Sequence, residues 1–166
     1  MFDQVIESII LLFVAVDPIA LIPIFASLTQ GLSKRDIKMV YIHATFVSFG
    51  ILSAFWLFGA SLLGVMGISM SSFKIIGGLF LIAIAFQMVF EQRQERRQNT
   101  ADTALDDESL QSLAIFPLAT PLIAGPGAMT AVLLLAEKRS NEPLEMLINF
   151  TPIIAIILMA AIAMWL

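Results

Sequence analysis

The chain has no cysteine, one histidine and one tyrosine, and only 13% of its 166 residues are charged. Without cysteine there are no disulfides, thiolate metal sites or cysteine nucleophiles. His43 has no histidine, cysteine or carboxylate partner at ligand spacing, so it is read as an interfacial residue and no metal is expected. No Walker loop, Gly-x-Ser-x-Gly elbow or His-Glu-x-x-His pair occurs, so an enzyme, a cofactor and a self-contained primary pump are not expected. An aspartyl intramembrane protease needs two carboxylates sharing a proton, and only Asp17 lies deep in an apolar run. A soluble domain would carry roughly 25% charged residues. The net charge of -4 and the scattering of nine Lys and Arg in short clusters give no nucleic-acid footprint.

What is present is apolar. Hydrophobic residues make up 59% of the chain and the mean hydropathy is +0.94, the composition of an integral membrane protein with the lipid bilayer as its first partner. The N-terminus does not read as a cleavable signal, because Asp3 and Glu7 occupy the region where basic residues would stand. Residues 1 to 8 lead into a retained span. Five spans are predicted, at 8–28, 39–64, 71–90, 110–136 and 146–166.

Two of these runs are broken at corresponding places. The first reads Val16-Asp17-Pro18-Ile19-Ala20, and the second Ala124-Gly125-Pro126-Gly127-Ala128. Unwound backbone near the midplane is tolerated only where it is buried in protein or lines a cavity. Paired interrupted spans are also the best sequence pointer to a carrier's binding site. Asp17 and Gly125 are 108 positions apart, and at that offset Ala20 meets Ala128 and the second span meets the fifth. A three-span repeat changes orientation when copied, so the expected architecture is an all-α, polytopic transmembrane bundle of two inverted repeats. They comprise 1–90, with three spans, and 110–166, with two, joined by a polar cytoplasmic linker at 91–109. The last span of the second repeat would fall beyond Leu166, so the chain reads as a truncated form.

Orientation follows the basic residues. Lys34, Arg35, Lys38, Arg93, Arg96 and Arg97 flank one side and Lys74, Lys138 and Arg139 the other, six against three, which places the N-terminus outside. Arg93, Arg96 and Arg97 would fix topology and touch anionic headgroups.

Three segments carry a resemblance. They are Asp17-Pro18-Ile19-Ala20-Leu21-Ile22-Pro23-Ile24-Phe25, Phe73-Lys74-Ile75-Ile76-Gly77-Gly78, and the run from Phe116 through Ala128 with its Phe-Pro-Leu-Ala-Thr-Pro-Leu-Ile-Ala-Gly-Pro-Gly-Ala order. In these the chain resembles the MarC family of inner-membrane proteins. The resemblance implies a six-span protein of the lysine-exporter-like group of small-molecule transporters, located in a bacterial inner membrane. Some members are described as carriers of small neutral amino acids. The chain departs from the pattern in lacking the sixth span.

The site residues have two readings each. An intramembrane carboxylate costs roughly 2.5–3.5 kcal/mol on insertion scales, so Asp17 is either an ammonium or proton site, a helix N-cap followed by Pro18, or both. Gly125, Pro126, Gly127 and Ala128 would open a half-helix whose free N–H groups favour a carboxylate, with the glycines letting a ligand approach. The plainer reading is a proline kink. A zwitterion would bind with its ammonium at Asp17 and its carboxylate at the second break, with Thr120 or Thr130 adding a hydroxyl. Carbonyls freed by Pro23, Pro117 and Pro121 could coordinate a cation or merely bend the spans. Protons and sodium are both candidate coupling ions. Gly50, Ala54, Gly77 and Gly78 are assigned to helix packing. The predicted function is secondary transport of a small solute by alternating access. The alternatives are a passive channel and a non-transporting component of a larger assembly. A homo-oligomer is compatible with the pattern.

Overall fold

The computed structural model describes residues 2–89, 110–137 and 142–165. The expected linker at 91–109, with Arg93, Arg96 and Arg97, and the basic pair Lys138 and Arg139 lie outside the described residues. The described residues are helical almost throughout. Helix α1 is Phe2–Val16, α2 Pro18–Leu28, α3 Lys34–Val65 and α4 Met70–Val89. The short α5, Leu110–Leu113, leads into a loosely wound segment, Ala114–Ile123, followed by α6, Pro126–Glu137, and α7, Pro143–Trp165.

Four stretches are long and apolar enough to cross a membrane: Asp3–Leu28, Lys34–Val65, Met70–Gln87 and Pro143–Trp165. The bent pair Ala114–Ile123 and Pro126–Glu137 makes a fifth if counted as one span. Four to five spans therefore agree with the sequence reading, while the first, second and last start three to five residues earlier than expected. Helix α1 starts at Phe2, and α3 runs 32 residues.

Local chemistry explains the ends. Ser33 caps α3, its hydroxyl donating to Asp36 Oδ2 at 2.7 Å and accepting the Asp36 N–H at 3.3 Å. At the other end Gly67 takes φ 71. Ile68 N–H donates to Leu63 O and Gly67 N–H to Gly64 O, the paired bonds that close a helix on a left-handed glycine.

Backbone groups in hydrocarbon must find partners within the protein, and a buried hydroxyl left without one is costly. Ser8, Thr29, Thr45 and Ser48 each donate to the carbonyl four residues earlier, at 2.7 Å. In α7, Pro152 lacks the N–H that would meet Ile148 O. The neighbouring Thr151 hydroxyl donates to that carbonyl instead, at 2.6 Å.

Helix α7 packs against α1, α2 and α3, and α6 against α3, α1 and α4. The core runs through Leu12, Leu21, Ile24, Leu52, Leu118, Leu122, Ile153 and Ile156. Phe150 fixes α7 to α3 through edge contacts with Phe49 and Trp56, at 5.9 and 5.0 Å between ring centroids. Helix α4 is peripheral. Its Ile75, Ile76, Leu79, Ile82 and Phe86 are exposed, as lipid-facing side chains of a membrane span are.

Candidate functional site

The first break is a single residue. Asp17 adopts the left-handed conformation, φ 55 and ψ 68, which Asp and Asn tolerate better than other side chains. Its N–H donates to Phe13 O at 2.8 Å, finishing α1. Its Oδ1 accepts the Ala20 N–H at 3.4 Å, opening α2 with Pro18 in the first turn. Asp17 thus acts as a cap, half-buried beside the buried Pro18. Pro23 lies within α2 without interrupting it.

The second break is longer. Phe116 and Thr120 are extended, with φ,ψ of -129,124 and -133,121, and each precedes a cis proline, Pro117 and Pro121. A residue before proline is driven toward that region by the ring. Ala124 N–H donates to Ala119 O at 2.8 Å, and Met129 N–H to Gly125 O at 3.0 Å. Between these bonds the chain turns by 57°. The two breaks therefore differ in shape: α1 and α2 continue as one span, while the second pair is sharply bent.

The glycines of the second break are filled by the protein itself. A Cβ on Gly125 would collide with the Pro121 carbonyl, so the backbone approaches itself there. A Cβ on Gly127 would fall 2.5 Å from Ile84 Cδ1 of α4 and 3.9 Å from the Ala15 carbonyl oxygen. Ala15 lies in the last turn of α1, two residues before Asp17. The breaks, far apart in sequence, thus adjoin in space. Gly127 and Ala128 are buried in the first turn of α6, where N–H groups have no acceptor within the helix.

From this point α6 runs back along α4. Gly127 lies at Ile84, and the Thr130 methyl sits 2.7 Å from where a Gly77 Cβ would stand. Further on, Lys74 and Glu137 form an ion pair at 2.5 Å. Thr120 and Thr130 are both half-buried, and Thr130 gives its methyl to α4. Of the small residues assigned to packing, Gly77 is buried in such a contact. A Cβ on Gly78 would meet nothing within 4 Å, and Gly50 and Ala54 lie on an exposed face of α3. The close approach on α3 is instead at Gly59, against the Leu133 side chain. One buried hydroxyl, Ser53 Oγ, has no hydrogen-bond partner among the described residues. His43 Nδ1 lies 2.8 Å from Met39 O on an exposed face.

Two cavities of about 460 Å³ flank α7. One is lined by Trp56, Leu57, Pro143, Met146, Leu147 and Phe150, the other by Lys34, Ile37, Lys38, Tyr41, Met164 and Trp165. Neither is lined by a residue of either break.

A family profile described as "MarC family integral membrane protein" matches residues 2–166. A UPF0056 membrane protein of Methanocaldococcus jannaschii is 37% identical over 130 residues, covering 78% of this chain and 57% of its own length. A relative of the same description from Buchnera aphidicola is 36% identical over 126 residues, covering 76% and 58%. The UPF0056 membrane protein YvbG of Bacillus subtilis is 29% identical over 141 residues, covering 85% and 67%. The chain thus spans less than two thirds of the length of the first two of these relatives. No solved structure matches it.

Proposed function

Because this chain belongs to the MarC family of multi-pass integral membrane proteins, we propose that it is the core of a secondary transporter for a small zwitterionic solute, of the size and charge of a small neutral amino acid. The observation that carries the reading is the adjacency of the breaks, with Gly127 against the Ala15 carbonyl. In this reading the carboxylate that opens one half-helix and the donors that open another serve the same solute. Asp17 takes the substrate ammonium. The first-turn N–H groups of Gly127 and Ala128, with Gly125 and Pro126 shaping the turn, take its carboxylate. Thr120 and Thr130 stand near enough in sequence to the second break to supply a hydroxyl.

Pro121 and Ile84 fill the space at the glycines, so in this reading the solute enters only when that space opens. Opening requires α6 to move relative to α4 and α1, as rocking of one half against the other does. Coupling to protons or sodium, and the inverted relation of the two halves, are parts of the same proposal.

The test is alanine counterflow in proteoliposomes, comparing the protein with Asp17→Asn. Saturable exchange that falls by about tenfold or more in the variant is the expected result, since a hydrogen bond to a charged group contributes roughly 1.5–3 kcal/mol. Flux that does not saturate and shows no exchange would assign a passive channel instead. Exchange unaffected by the substitution would remove Asp17 from the site.

A further inference from the structure

At the end of the molecule where α3 begins and α7 finishes, the cavity lined by Lys34, Ile37, Lys38, Tyr41, Met164 and Trp165 lies between the two helices. Residues 34, 37, 38 and 41 recur at the spacing that places them on one helix face. That face is basic at its start and aromatic further along. Met164 is buried at the cavity wall, while Trp165 and both lysines are exposed. Asp36, in the same turn, is engaged by the Ser33 hydroxyl. Lys34 and Lys38 form no ion pair among the described residues. Two ammonium groups therefore share one mouth, and Ile37 and Met164 line the same cavity with apolar surface.

The chemistry that fits is a phosphate with hydrocarbon attached. Lysine pairs neutralise phosphate oxygens as point charges. Tyr and Trp belong at the depth of lipid headgroups, and the apolar lining accepts the start of an acyl chain. Lys34, Arg35 and Lys38 also mark this end as cytoplasmic, the side whose leaflet carries anionic lipid. We propose that this cavity is a binding site for the phosphate of an anionic phospholipid. The proposal does not depend on the transport reading.

The experiment is native mass spectrometry of the full chain in mild detergent, offered equal amounts of phosphatidylglycerol and phosphatidylcholine. The comparison is with Lys34→Gln/Lys38→Gln and with Lys74→Gln at the opposite end. Retention of one phosphatidylglycerol in preference to phosphatidylcholine is expected. Each lysine near the surface contributes roughly a fivefold preference, so the double variant should lose about 25-fold. Lys74→Gln should lose none. Circular dichroism of the same samples separates lost binding from lost folding, and Lys34→Arg/Lys38→Arg should restore retention. Equal retention of the two lipids, or a double variant that keeps the preference, overturns the proposal. Displacement by millimolar inorganic phosphate, with no preference between lipids, would retain a phosphate site but overturn the lipid as its source.

Discussion

Asp17 serves two demands with one side chain, and the substitutions that separate them are informative. It caps α2 through the Ala20 N–H and sits at a positive φ. Asn meets both requirements, because it caps about as well as Asp and tolerates the left-handed region. Asp17→Asn should therefore fold with a thermal midpoint within experimental scatter of the original, while Asp17→Ala should lose about 2–3 kcal/mol, about 1 from the cap and 1–2 from the backbone conformation. Thermal unfolding in detergent followed by circular dichroism checks this. Equal destabilisation by both would mean that the charge itself holds the break together. The cap was legible in the Asp-Pro order. The occupied space at Gly125 and Gly127 was not, because it is set by the Pro121 carbonyl and by Ile84 on another helix. Local sequence does not say which backbone will approach which.

At the scale of elements, the spans and both breaks followed from apolar length and proline position. Packing faces did not. The buried residues of α3 are Val40, Ala44, Ser48, Leu52, Trp56, Gly59 and Leu63, a stripe with helical spacing that includes Gly59 and passes by Gly50 and Ala54. In a soluble helix polarity would mark that stripe. Here lipid and protein interior are equally apolar, so hydrophobicity carries no directional signal. The difference in bend between the two breaks was also hidden. Phe116 and Thr120 each add an extended residue to the second break, and the first has only Asp17. The Lys74–Glu137 pair, with side chains 48% and 36% exposed, contributes at most about 1 kcal/mol as a surface ion pair. It does, however, mark where α4 meets the far end of α6. Since the chain lacks cysteine, Lys74→Cys/Glu137→Cys can be bridged by a short bifunctional thiol reagent without background. If α6 moves against α4 during exchange, the bridged protein should lose counterflow and recover it on cleavage of the bridge. Full activity in the bridged form would locate the moving boundary elsewhere.

For the whole molecule, orientation is the property on which the other assignments depend. Gln30 lies in the turn before α3 and Ser71 in the first turn of α4, both exposed. With the N-terminus outside, Ser71→Cys should label with a membrane-impermeant maleimide in intact cells, and Gln30→Cys only after the membrane is opened. The reverse pattern would invert the molecule and move the lysine-lined cavity to the outer leaflet.

The length of α3 has a mechanical consequence. Its 32 residues extend about 48 Å at 1.5 Å per residue, against a hydrocarbon layer of roughly 30 Å. The surplus must be absorbed by tilting or by projecting turns into the headgroups, and the balance shifts with bilayer thickness. Because α6 and α7 both lean on α3, a change in its tilt would reach the bent pair and the lysine-lined end together. Lipid chain length is then expected to act on this molecule through hydrophobic mismatch.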